Sequence, residues 1–251
     1  LRRLKGPPGS GKSVVLSARA ESLEAEGKDI LVLTYNLTLP NYLRDLTSSF
    51  RHARRGSRQG RITWLTFHEW CRRHACAFGY GREYAAIWRR YFDNGERREH
   101  ADSIFESEIC RLVGSALSAA GHEDRFDALL IDERQDWLPE WFELVHKAAL
   151  RPGGEVFFVA DASQDLYDRA RRWTDGVMSG AGFRGDWRRL TENHRLPHQA
   201  ARLARTFAMR QLRQVDGDPD PGLEQLALDV DACTLRWVQS DRAALAETCV
   251  S

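Results

Sequence analysis

Gly6-Pro7-Pro8-Gly9-Ser10-Gly11-Lys12-Ser13 meets the pattern G-x-x-x-x-G-K-[ST] at every fixed position. The chemistry of such a loop explains its composition. Glycines let successive backbone N–H groups turn inward around phosphate oxygens, the lysine reaches the outer phosphates, and the last hydroxyl can ligate Mg²⁺. The flanks agree with this reading. Leu1 to Lys5 has the character of a strand end, and Val14-Val15-Leu16-Ser17-Ala18-Arg19-Ala20 opens a helix with Val15, Leu16 and Leu23 on one side. Strand, glycine loop and helix in that order predict an α/β domain.

Outward from this unit, short apolar runs alternate with helical stretches. Ile30 to Thr34, Ile62 to Phe67, Ala128 to Ile131 and Val156 to Ala160 read as strands, several of them almost continuously apolar, as strands covered on both faces are. The segments 37–50, 68–92 and 137–150 read as helices, the last with Trp141, Leu144, Val145 and Ala148 at helical spacing. The rhythm is that of a parallel sheet with helices on both faces. Residues 71–122 interrupt it with a polar helical region dotted by Trp88, Tyr91 and Phe92, expected as a small insertion subdomain. Asp216 to Gly222 is rich in turn residues and acidic, and beyond it Thr234 to Val238 suggests a further strand and Arg242 to Cys249 the start of a helix.

Composition sets the outer limits. The 251 residues are 42% hydrophobic, enough for a sizeable core, with no apolar run of about 18 residues to span a bilayer and no charged-then-apolar leader. Five cysteines, odd in number and scattered, point to reduced thiols, so the expected compartment is the cytoplasm. His68, Cys71, His74 and Cys76 form the only tight cluster of metal-ligand types. Their spacing on a core-facing helix argues against zinc. The net charge of +1 does not by itself indicate a nucleic-acid partner. Only four of the 37 basic residues are lysine, an arginine bias for which a GC-rich genome is the plain explanation.

Three further stretches carry chemistry. Ala128-Leu129-Leu130-Ile131 runs into Asp132-Glu133, a strand end that places two carboxylates where Asp132 can hold Mg²⁺ and Glu133 can deprotonate an attacking water. Acidic residues at a solvent-facing strand end are the plainer alternative; the glycine loop tips the balance. Val156 to Asp161 repeats the form, with Gln164 three residues on, able to hydrogen-bond a γ-phosphate or its water. Asn193-His194-Arg195 supplies an arginine that can stabilise charge on a transferring phosphoryl group, although a surface or helix-cap role is the simpler reading of Arg195 alone.

Taken in order, Gly6–Ser13, Leu33-Thr34-Tyr35-Asn36, Thr66-Phe67-His68-Glu69-Trp70, Asp132-Glu133-Arg134-Gln135-Asp136, Asp161 to Tyr167 and Asn193-His194-Arg195 resemble the motifs of UvrD/Rep-like superfamily 1 DNA helicases. The resemblance is closest to bacterial members whose second motif reads D-E-x-Q-D, and it spans residues 1 to about 200. It implies a P-loop NTPase of recA-like fold that hydrolyses ATP with Mg²⁺. Gly6 through Ser13, Gln135 and His194 would contact ATP, and Ser13 and Asp132 would hold the metal. Lys12, Glu133, Gln164 and Arg195 would be catalytic, Arg195 as an arginine finger. Gln135 and Gln164 would couple the γ-phosphate to the strand-binding surface. Thr34, Tyr35, Asn36, Thr66, Phe67 and His68 would lie along the path of single-stranded DNA, or of a single-strand to duplex junction. Hydroxyl and amide groups suit backbone phosphates there, and rings suit stacking, worth about 1–3 kcal/mol per base. For Phe67 and Trp70, core packing beside a strand end is the competing assignment.

Departures from the pattern are equally specific. His194 stands where relatives usually have a tyrosine that stacks on adenine, Ala160 where they often have glycine, and Arg134 where a small residue is common. No upstream glutamine motif and no later motifs match. The expected organisation is a first recA-like domain from 1–70 and 123–190, the insertion at 71–122, and an incomplete second recA-like domain over 191–251, within a longer protein. The leading functional expectation is an ATP-driven motor on single-stranded DNA. A catalytically silent ATP-binding interaction module is the alternative, and an unrelated P-loop ATPase or kinase leaves Thr66-Phe67-His68 and Gln164 as coincidences.

Overall fold

The computed structural model describes residues 2–53, 60–93, 108–119, 125–161, 173, 175–183, 186–195 and 206. Within them, six strands form one sheet: β1 (Arg2–Lys5), β2 (Asp29–Thr34), β3 (Arg61–Thr66), β4 (Phe126–Ile131), β5 (Leu150–Ala160) and β6 (Arg188–Arg189). Their order across the sheet is β3-β2-β4-β5-β1-β6, and all five pairings are parallel. The α/β expectation therefore holds at the level of a parallel sheet flanked by helices. Helices α1 (Lys12–Ala25), α2 (Leu39–Ala53), α3 (Phe67–Ala77), α4 (Gly81–Asp93), α5 (Cys110–Ala119), α6 (Pro139–Ala149) and the short α7 (Asp175–Gly180), with a 3-10 turn at Arg134–Asp136, complete the described elements.

Period-two alternation within the strands sorts the core into two layers. Leu4, Ile30, Val32, Ala128, Leu130, Phe157 and Val159 face α1 and α2, meeting Leu16, Ala20, Leu23 and Leu43. Their neighbours Leu31, Leu33, Leu129, Ile131, Val156 and Phe158 face α3 to α6, where Phe67, Trp70, Trp137, Trp141 and Phe142 are fully buried. Both faces are covered along the central strands, which is why β2, β4 and the end of β5 read as unbroken apolar runs. Buried residues of the 71–122 region, Cys71, Ala75, Tyr84, Ile87, Val113 and Leu117, join this second layer directly.

The structure departs from the sequence reading most clearly in three places. The single helix expected over 68–92 is two, because Gly79 adopts φ 84° and closes α3: its N–H and that of Tyr80 donate to Cys76 and Ala75 carbonyls. Phe67 starts α3 rather than ending β3, since the Thr66 hydroxyl accepts from the Glu69 N–H and caps the helix. Strand β6 has no counterpart in the sequence reading; both its residues are exposed arginines at the sheet edge, so no apolar pattern announces them. The segments around Gln164, 216–222, 234–238 and 242–249 lie outside the described residues. No described helix is long and apolar enough to cross a membrane.

Candidate functional site along the carboxyl edge of the sheet

A wholly parallel sheet sends every strand's carboxyl end to one edge, and ligands of open α/β sheets bind outside that edge. Read across it, the loops follow in the order Thr66–His68, Thr34–Asn36, Asp132–Glu133, Asp161, Gly6–Ser13 and Leu190–Arg195. The six stretches scattered along the chain thus become neighbours. They also separate into two groups: β3 and β2 carry the stretches assigned to DNA by resemblance, and β4, β5, β1 and β6 carry those assigned to nucleotide chemistry.

The glycine-rich loop continues the β1–β5 ladder through the Gly6 N–H to the Ala160 carbonyl at 3.3 Å, then turns at Gly9 (φ 79°) and Gly11 (φ 88°) into α1. Only glycine adopts these values without strain. At Gly9 a side chain would also collide, because its Cβ would stand 2.8 Å from both Asn193 Oδ1 and Arg195 Cβ. Lys12 is the first residue of α1, and its buried ammonium donates to the Gly6 carbonyl (2.9 Å), the Pro7 carbonyl (3.0 Å) and Asp161 Oδ2 (2.9 Å). Ser13, half-buried, follows in the same first turn. Pro7, Pro8 and Ser10 complete the loop, with the Ser10 N–H donating to the Pro7 carbonyl.

Asp132 directly follows β4, tied back to β2 by its N–H to the Leu33 carbonyl. Its carboxyl is fully buried; Oδ1 accepts from the Glu133 N–H at 3.0 Å, and Oδ2 has no hydrogen-bond partner among the described residues. Burial first, and the neighbouring Glu133 charge second, push its pKa up to about 7 against the opposing pull of the Glu133 N–H and Lys12. An orphaned buried carboxylate oxygen is what a cation would satisfy, so Asp132 fits a role in holding Mg²⁺. Among the described residues there is no group of three or more His, Cys, Asp or Glu that forms a metal site by itself.

Glu133 is the one non-glycine residue with positive φ among those described, at 52°. The left-handed conformation costs about 1–2 kcal/mol in an L-residue, and such strain concentrates at functional sites. Gln135 braces it: Nε2 donates to Glu133 Oε2, and Oε1 accepts the Asp161 N–H at 2.9 Å. Arg134, between them, is 5% exposed and lays its guanidinium 5.1 Å from the Trp173 ring centre and 5.4 Å from that of Trp187. Those rings are the room and the partner that its long side chain requires.

The segment after β6 closes over the loop. Leu190 donates its N–H to the Lys5 carbonyl, His194 to Gly9, and buried Asn193 gives Nδ2 to the Pro8 carbonyl at 2.7 Å while its Oδ1 accepts the Arg195 N–H. The His194 ring and the Arg195 side chain are exposed at this edge. Gln164 lies outside the described residues. Asp161 and Asn193 enter the site as close partners of Lys12 and Pro8, roles that the sequence reading left unassigned. Their only sequence signals are a polar residue ending the Val156–Ala160 run and an asparagine two before Arg195.

The other half of the edge is more mixed. The buried Thr34 hydroxyl donates to the Asn36 carbonyl, and exposed Asn36 accepts from the Thr38 N–H and hydroxyl. Tyr35 stacks on Trp141 and tilts toward His68. His68 lines a groove of about 640 Å³ with Leu37, Thr66, Arg72, Trp88 and Arg89. In the same groove Glu69 is held down to about 2, chiefly by the Arg72 hydrogen bond. Phe67 differs: its ring is fully buried, stacked on Trp141 at 4.6 Å and on Trp70 at 6.4 Å. A ring so enclosed offers no face to a base. Phe67 and Trp70 are core residues here.

No protein-family model matches the chain, and no curated protein matches it either.

Proposed function

We propose that the chain is the ATP-hydrolysing part of a superfamily 1 DNA motor, with the recA-like P-loop fold that its motifs resemble. The observation that carries this is the grouping of Gly6–Ser13, Asp132–Glu133, Asp161 and Asn193–Arg195 on four adjacent strand ends. In this reading the loop N–H groups and Lys12 take the phosphates of ATP, and Ser13 and Asp132 hold Mg²⁺, which when bound neutralises charge on the transferring group. Glu133, strained and braced by Gln135, accepts the proton of the attacking water. Arg195, exposed beside the loop, stabilises developing charge on the phosphoryl oxygens. Single-stranded DNA runs along the β2 and β3 ends, where Asn36, His68 and the arginines of the groove meet its phosphates. A motor of this kind works in the cytoplasm.

The test is MgATP binding and turnover by residues 1–251 with and without single-stranded DNA, against Lys12→Ala. ATP binding that Lys12→Ala abolishes is expected, with slow turnover, since phosphoryl transfer in such motors draws charge stabilisation from two domains. Equal ATP affinity in the two proteins refutes the phosphate assignment. Binding without any effect of DNA on affinity or turnover favours the interaction-module reading instead.

A further inference from the structure

A lysine ammonium has three N–H donors, and the structure gives all three of Lys12 an acceptor: the Gly6 carbonyl, the Pro7 carbonyl and Asp161 Oδ2. Two of these acceptors are neutral loop carbonyls; the third is a carboxylate. Lys12 is 8% exposed and Asp161 1%, so this ion pair is largely shielded from water, where charge-assisted hydrogen bonds are strongest. A phosphate that reaches Lys12 must take a donor already in use. It therefore competes with the two loop carbonyls and with Asp161, the one negatively charged partner of the ammonium among the described residues.

The backbone of Asp161 leads to the next group. Its N–H donates to Gln135 Oε1, and the same Gln135 side chain donates through Nε2 to Glu133. Lys12, Asp161, Gln135 and Glu133 are thus linked through side chains and one main-chain amide, from the glycine loop across β5 to the end of β4. We infer that Asp161 is a positioning residue that competes with nucleotide phosphate for Lys12, and that its displacement is passed through Gln135 to Glu133. The inference rests on the assignment of Lys12 to phosphate.

A residue that merely supports the loop weakens nucleotide binding when removed; a competitor strengthens it. Asp161→Asn keeps the shape and removes the charge, and Asp161→Ser removes it with a smaller side chain in case the amide disturbs folding. Calorimetric titration of the full 251-residue chain with ATP and Mg²⁺ is expected to show about tenfold tighter binding by Asp161→Asn than by wild type, about 1.4 kcal/mol. Turnover at saturating ATP is expected to fall, since Glu133 loses the signal carried through Gln135. Unchanged or weaker binding by both Asp161 variants, while Lys12→Ala still abolishes binding, overturns the competitor role and leaves the phosphate assignment standing. Full ATP affinity in Lys12→Ala overturns both.

Discussion

Replacing Asp132 with asparagine should stabilise the protein in a way that grows with pH. The carboxyl is fully buried, one of its oxygens lacks a hydrogen-bond partner among the described residues, and its pKa is pushed from an ordinary 3.8 up to about 7. With the folded value above the unfolded one, the unfolded chain releases the proton first as pH rises. The stability the group contributes is therefore complete below the unfolded value and is lost as pH climbs through the folded value. Three units at about 1.4 kcal/mol each amount to about 4 kcal/mol in total, of which about 2 kcal/mol falls between pH 5 and 7. Asparagine does not titrate and nearly conserves the shape. Urea unfolding of both proteins in chelator, at half-unit steps from pH 5 to 8.5, should show the advantage of Asp132→Asn widening by about 2 kcal/mol up to pH 7 and then levelling off. Adding Mg²⁺ with ATP should stabilise the wild type more than the variant, because only the carboxylate satisfies the cation. A difference that stays flat with pH, or widens toward acid, would refute the claim that burial raises the pKa of this carboxyl.

Two further outcomes follow from the packing. Arg134→Ala should lower the stability by about 2 kcal/mol through loss of the stacking on Trp173 and Trp187, and Arg134→Lys by less, since it keeps the charge but not the planar group; equal urea midpoints for wild type and Arg134→Ala would contradict this. Phe67→Ala should cost about 3–5 kcal/mol of stability as a core cavity, whereas His68→Ala should cost under about 1 kcal/mol yet weaken binding of a labelled oligothymidylate measured by anisotropy. A stable Phe67→Ala protein with selectively reduced DNA binding would show that the ring is a DNA contact after all.

Much of the sheet was legible because its central strands are buried on both faces, and burial on both faces leaves an uninterrupted apolar run in the sequence. Edge strands leave no such trace. Strand β6 is two exposed arginines, recruited by the Leu190 N–H to the Lys5 carbonyl and by pairing with β1, neither of which has a local signature. The break between α3 and α4 was marked by Gly79, but a glycine within a helical pattern has several readings until its φ is known. The assignment of Phe67 was open for a similar reason: an aromatic at a strand end suits stacking and packing equally, and burial alone separates them.

Local sequence carries the residue types of the site: the glycines that can turn at Gly9 and Gly11, the lysine that follows them, and the paired carboxylates that follow an apolar strand. These are local requirements of backbone conformation and charge, so they are written in short stretches. Tertiary structure alone decided which of those groups meet. Lys12 and Asp161 are 149 residues apart in the chain and 2.9 Å apart in the fold, because parallel pairing of β1 with β5 brings their ends side by side. Asn193 reaches Pro8 by the same route through β6. The burial that raises the Asp132 pKa belongs to the sheet as a whole and to no segment of sequence.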